Sequence, residues 1–191
     1  ELPHFHKNIL ESLREPLEDN KVLISRVNSK IEYDAKFLFV SAMNPCPCGN
    51  LFSHTKECRC QDLEIQRYKN KISDPIYDRI DLYVAMSEVS SEDKCDISTK
   101  DLFAKVMQAF IFQKQRGQVE LNGKLADKDI LKYCVLENEA NNILNQAQET
   151  FSLSFRAVNK VKKVARTIAD IDGKNSISKS HILEALSFRK R

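Results

Sequence analysis

Four of the six cysteines fall in two short pairs, Cys46-Pro47-Cys48 and Cys58-Arg59-Cys60, with nine residues between them. Two Cys-x-Cys pairs on one loop offer four sulfurs to one point, and Zn²⁺ prefers four tetrahedral ligands with thiolate among the best. The pairs therefore read as a metal clip of Cys46, Cys48, Cys58 and Cys60. Pro47 stiffens the first pair, and Gly49 lets the chain turn sharply behind it. Buried free thiols or one or two disulfides are the competing readings, since Cys-x-Cys departs from the commoner Cys-x-x-Cys knuckle. His54 could replace one thiolate, although an exposed loop histidine is the simpler role. Cys95 and Cys134 have no neighbouring cysteine and read as small hydrophobes.

Such a loop needs a scaffold, and the composition allows one. With 191 residues, 42% hydrophobic and 30% charged, the chain can bury a core and predicts two modest domains. No apolar run approaches the roughly 20 residues that cross a bilayer, and no charged-then-apolar leader opens the sequence. No membrane partner is expected. The expected setting is the reducing cytoplasm, where clustered thiols signal metal more often than disulfide. A formal charge of +3 is too small to diagnose nucleic-acid binding by itself. The chain opens on Glu1-Leu2-Pro3-His4-Phe5 with no methionine and reads as a piece of something longer.

Along the chain, Ile9, Leu10, Leu13 and Leu17 predict one amphipathic helix over 6–18, ended by Asp19-Asn20. Alternation over 21–33 around Asn28-Ser29 predicts a hairpin. The apolar runs at 37–40 and 80–85 predict strands buried on both faces of a parallel sheet. Between them lie the cysteine loop, a helix over 61–71 and a short helical turn opened by Asp74-Pro75. Residues 87–100, rich in serine and acid, predict a linker. Beyond it the pattern is helical: a capping box at Ser98 and Asp101, closure at Gly117, then segments over 127–134, 137–150, 154–171 and 178–189. In the longest, Val158, Val161, Val164, Ala165 and Ile168 share one face, and Arg156, Lys160 and Lys163 another. The expected fold class is α/β over 1–86, with the cysteine loop at 44–60, followed by an all-α bundle over 101–191.

Several ordered motifs point to a family. Glu1-Leu2-Pro3, Leu13-Arg14-Glu15-Pro16-Leu17-Glu18-Asp19, Ile24-Ser25-Arg26, Ala42-Met43-Asn44-Pro45-Cys46-Pro47-Cys48-Gly49, Cys58-Arg59-Cys60, Asp78-Arg79-Ile80-Asp81-Leu82 and Val164-Ala165-Arg166-Thr167-Ile168-Ala169-Asp170 together resemble the magnesium-chelatase-like AAA+ ATPases. The resemblance covers nearly the whole chain and implies a partial P-loop AAA+ core followed by a helical lid. It also implies roles. Glu1 is similar to the glutamate that polarises the attacking water, and Asn44 to the sensor-1 residue that orients that water or feels the γ-phosphate. Arg79 resembles the arginine finger that one subunit extends into its neighbour's site, which requires a ring, expected to be a homo-hexamer. Arg156 resembles the sensor-2 arginine of the lid.

Read from the residues alone, Asn44 is an Asx turn before Pro45, Arg79 a surface ion pair with Asp78 or Asp81, and Arg156 a solvated helix residue. The sequence contains no Gly-x-x-x-x-Gly-Lys-Ser/Thr and holds four glycines. ATP and Mg²⁺ are therefore expected to act only in the full-length protein, and this piece is not expected to hydrolyse ATP. Lys21, Arg26 and Lys30 on the hairpin are candidate nucleic-acid contacts, by analogy with pore hairpins of related ring motors. Arg59, Arg67, Lys69 and Lys71 add charge around the clip, and Arg189-Lys190-Arg191 ends the chain. The resemblance implies a DNA-acting motor like the competence-linked members that promote branch migration. Competing readings are a chelatase-type subunit driving metal insertion into a porphyrin and a zinc-binding adaptor without motor function.

Overall fold

Pro16 decides the shape of the first helical stretch. It has no N–H to donate, and its ring collides with the carbonyl four residues back, that of Ser12. The single helix expected over 6–18 is accordingly two, α1 (Lys7–Ser12) and α2 (Arg14–Asp19), jointed at Leu13. Asn20 ends α2 in the left-handed region, with φ of 55°. The computed structural model describes residues 1–90 and 92–189, so Lys190 and Arg191 of the basic tail lie outside the described residues. The chain divides into two units, one of residues 1–80 and 85–90, the other of residues 81–84 and from 92 onward.

In the first unit, β1 (Lys21–Arg26) and β2 (Ser29–Asp34) form the expected antiparallel hairpin. Ile24 faces Ile31 across it, and the turn runs through Val27 and Asn28. Two helices follow, α3 (Asp62–Lys69) and α4 (Asp74–Arg79). The first is capped reciprocally by Gln61 and Glu64, and the second carries Pro75 in its first turn, where a missing N–H costs nothing. Tyr68, Ile72, Ile76 and Tyr77 are buried around them.

The two buried parallel strands expected at 37–40 and 80–85 do not form. Both segments lack regular secondary structure and pair with no strand among the described residues, and Leu38, Val40, Leu82 and Val84 are exposed. An apolar run reports that a segment needs cover, whereas a ladder also needs neighbouring strands to take its backbone hydrogen bonds. Single bonds stand in for ladders: Leu2 N–H reaches the Ala42 carbonyl at 3.0 Å in the first unit, and Tyr83 N–H the Phe188 carbonyl at 2.8 Å in the second.

The second unit is helical, as expected. It comprises α5 (Thr99–Gln115), α6 (Asp127–Tyr133), α7 (Asn138–Thr150), α8 (Phe155–Ile171) and α9 (Lys179–Ser187). Ser98 and Asp101 make the predicted capping box, and Gly117 supplies the left-handed turn after α5 with φ of 71°. The core gathers Ile130, Leu144, Val161, Ala165, Ile177 and Ile182. Cys134 is buried in it, whereas Cys95 is exposed and donates to the Ile97 carbonyl, which corrects its reading as a buried hydrophobe.

This core also encloses charge. Arg166 and Asp170 are both fully buried. Arg166 Nε donates to Asp170 at 3.1 Å and its other nitrogens to the carbonyls of Lys174 and Asn175. Arg116 grips the same carboxylate with two nitrogens at 2.6 and 3.0 Å, and Asn122 adds a third donor at 2.8 Å. Buried ions persist only when so fully hydrogen-bonded.

Candidate functional site

The cysteine loop is built by turns rather than by regular elements. After Cys46, Gly49 turns the chain at φ of 82° and returns its N–H to the Cys46 carbonyl at 3.1 Å. At the tip, the Ser53 hydroxyl accepts from the amides of Thr55 and Lys56 at 3.2 and 3.0 Å, and the chain then comes back through Cys58 and Cys60 into α3. Glu88 ties down the tip. Its carboxyl is held below the usual range, chiefly by the Ser53 hydroxyl.

The four sulfurs converge as the spacing predicts. All lie within 4.8 Å of one another, with Cys46 to Cys48 at 3.4 Å, Cys46 to Cys58 at 3.7 Å and Cys48 to Cys58 at 3.6 Å. A disulfide needs about 2.05 Å, so these are four free thiols. A tetrahedral zinc with Zn–S of about 2.3 Å would space its sulfurs by about 3.8 Å. The donor set therefore fits such an ion in number, type and separation. Cys46 is fully buried and Cys48 is exposed, so the group is walled on one side and reachable on the other. His54 is exposed and outside the group.

Local electrostatics already favour a thiolate here. Backbone amides of Asn50 and Arg59 aim at Cys48, and with the Cys60 thiol they bring its pKa down to about 6. Cys60 receives a backbone hydrogen bond from Cys48, but burial and the adjoining thiols outweigh it and push Cys60 up to about 12. Cys48 thus ionises readily while Cys58 and Cys60 resist, which is the behaviour of crowded sulfurs that a dication would relieve.

Two of the nucleotide-site candidates, Glu1 and Asn44, each lie near Tyr68 beside the clip. The bond from Leu2 N–H to the Ala42 carbonyl lays the chain start along the segment that ends in Asn44. Glu1 is exposed and paired with His4 at 3.0 Å. Asn44 is also exposed, and its Nδ2 would lie 3.8 Å from a Cβ placed on Gly49. Tyr68 sits between these groups: burial raises its hydroxyl pKa, the Asn44 backbone lowers it by hydrogen bonding, and the nearby Glu1 and Cys46 raise it. Nothing local in the sequence marks Tyr68 or Glu88 as part of this site, since both reach it through contacts distant in sequence.

Arg79 lies elsewhere in the same unit. Its guanidinium pairs with Glu18 at 2.8 Å and donates to the carbonyls of Arg14 and Pro75 at 3.0 and 2.8 Å. Two of these three partners, Glu18 and the Arg14 carbonyl, belong to α2. Arg156 is exposed on the first turn of α8, which the Ser154 hydroxyl caps through the Ala157 amide at 3.1 Å. Of the hairpin cations, Lys21 is paired with Glu32 at 2.5 Å, while Arg26 and Lys30 are exposed.

Comparison with known proteins covers the chain from end to end. Residues 1–94 match the family described as magnesium chelatase, subunit ChlI, and residues 96–189 match magnesium chelatase, subunit ChlI C-terminal. The chain is 36% identical over 197 residues to the YifB protein of Salmonella typhimurium and 36% over 195 residues to competence protein ComM of Haemophilus influenzae. Each alignment takes in 99% of this chain and 38% of the relative. A Mycobacterium tuberculosis protein, Rv2897c, is 30% identical over 95% of the chain and 37% of its own length. The chain thus spans little more than a third of the curated relatives it matches.

Proposed function

The chain belongs to the magnesium chelatase ChlI family, and from that premise we propose that it works within a ring-forming AAA+ ATPase that acts on DNA. What carries this reading is the bond from Leu2 to Ala42, which sets Glu1 beside the segment ending in Asn44, with the four-sulfur loop beginning two residues later. A carboxylate and a carboxamide so placed can share one water, Glu1 polarising it and Asn44 orienting it. ATP with Mg²⁺ supplies the phosphoryl group and its charge neutralisation. Arg156 is the proposed sensor of that nucleotide from the lid.

Arg79 is the proposed finger, reaching a neighbouring copy in a homo-hexamer. To do so it exchanges the Glu18 carboxylate for phosphate oxygens, one charge-assisted partner for another. Cys46, Cys48, Cys58 and Cys60 hold Zn²⁺, and four protein sulfurs leave no open position for chemistry, so the ion is structural. DNA rather than a porphyrin-bearing partner is supported by the likeness to a competence protein. No helix among the described residues is long and apolar enough to cross a membrane, in keeping with the cytoplasmic setting proposed.

The decisive experiment measures ATP hydrolysis by the full-length protein with single-stranded, duplex and branched DNA, and with porphyrin-chelatase partner subunits. Stimulation by DNA is expected. Stimulation by the chelatase partners alone would replace this reading with metal insertion, and activity indifferent to both overturns it.

A further inference from the structure

An open cleft in the first unit is lined by His4, Pro47, Glu64, Arg67, Tyr68 and Lys71. Its volume of about 280 Å³ falls below the roughly 300–1,000 Å³ of sites that enclose a small molecule, so it suits one group of a larger ligand. Arg67 and Lys71 stand four residues apart, both exposed, and neither has a carboxylate partner among the described residues. The Lys71 ammonium sits 5.8 Å from the centre of the Tyr68 ring. The lining holds one acid, Glu64, whose carboxylate accepts the Gln61 amide at 2.9 Å as the cap of α3 and whose single charge is outnumbered by the two cations. Two unpaired cations at the mouth of an otherwise largely apolar cleft match a phosphate with its attached sugar.

We infer that this cleft holds the phosphodiester backbone of DNA, with Arg67 and Lys71 on the phosphate oxygens and Pro47 and Tyr68 against the sugar. This inference rests on the proposed action on DNA and gives it a place. Pro47 lies between two of the metal-binding cysteines, so the clip shapes one part of the cleft. Tyr68 is joined to the Asn44 backbone, so a strand in the cleft touches the scaffold of the proposed nucleotide-sensing residue.

The test uses the full-length protein, fluorescent oligo-dT and a mixed-sequence oligonucleotide, with binding followed by anisotropy across a salt series. Replacing both residues, Arg67→Ala with Lys71→Ala, is expected to weaken binding roughly tenfold for either sequence, and to flatten the slope of log K against log salt by about 1.4, some 0.7 per lost phosphate contact on a single strand. Arg67→Lys alone keeps the charge and should keep the slope. Retained zinc, about one ion per chain, verifies that the double variant is folded. Unchanged affinity and slope in the double variant, while the parent binds, overturns the cleft alone. So does a raised KM for ATP with DNA binding intact, which assigns the cations to nucleotide. A parent that binds no DNA overturns both the cleft and the proposed function.

Discussion

The two units solve the problem of stability in opposite ways. The helical unit buries a continuous apolar core, with Leu144, Val161, Ala165, Ile177 and Ile182 at 1% exposure or less, and closes a buried ion cluster inside it. The first unit buries a few residues around α3 and α4 while leaving Phe37, Leu38, Val40 and Met86 exposed, and its longest loop is gathered by four sulfurs. Burial of a Leu or Ile is worth about 1.5–3 kcal/mol, so the helical unit carries its own folding energy. The first unit has four sulfurs placed to hold a metal and leaves apolar surface that its own residues do not cover. Exposed apolar segments of this kind mark places of contact with other chain.

That contrast breaks first if the metal is removed. Chelation, or Cys46→Ser with Cys58→Ser, should abolish the one zinc per chain and melt the first unit, because the binding energy of a structural zinc site, apparently about 10–16 kcal/mol in small zinc-bound peptides, is folding energy. Protease cleavage within 44–60 should rise sharply while the helical unit keeps its thermal transition. Equal metal content in variant and parent, or joint melting of both units, would erase the distinction.

The ion cluster gives the reciprocal experiment. Asp170→Ala leaves Arg116 and Arg166 facing each other with no anion between them, and breaking a buried pair this way costs about 3–5 kcal/mol. The denaturant midpoint of the helical unit should fall accordingly, with zinc content unchanged. A smaller paired test follows from the exposed apolar segment at 37–40. Leu144→Ala should cost about 2–5 kcal/mol, whereas Leu38→Ala, at a position 88% exposed, should stay within about 0.5 kcal/mol. A large loss at Leu38 would mean that the segment is covered in solution, which oligomerisation of the chain would produce.

The same contrast explains what could be read from residues in order. The helical unit was legible because its signals are local: Ser98 three residues before Asp101, Gly117 after the last turn, apolar residues every three or four positions along α8. The hairpin and the four cysteines were legible for the same reason. The segments at 37–40 and 80–85 were misread because an apolar run states an environment without naming the partner that provides it. The periodicity of Leu10, Leu13 and Leu17 runs straight through Pro16, so it predicts one helix where the proline makes two. At the site, the convergence of the four cysteines followed from their spacing. The pairing of Arg79 with Glu18, the place of Tyr68, and the tie from Glu88 to the loop tip join residues far apart in sequence, and no local spacing encodes them.

The smallest effect separates two cysteines of unlike surroundings. Burial in the helical core pushes the Cys134 thiol up to about 11 from its ordinary 9.0, whereas exposed amides pull Cys48 down. A folded-state pKa above the unfolded one means that the unfolded chain gives up its proton first. The stability Cys134 contributes is therefore whole well below pH 9 and drains away as pH rises toward 11. By pH 10 the loss is about 1.4 kcal/mol. Lysines and tyrosines titrate in the same range, so the measurement is a difference: denaturant stabilities of the parent and of Cys134→Ala, each followed from pH 7 to pH 10. Their gap should stay constant to about pH 8 and then shift by about 1.4 kcal/mol against the parent by pH 10. A constant gap throughout would mean that water reaches Cys134 in the folded state, and the helical core would then be less closed than its packing indicates.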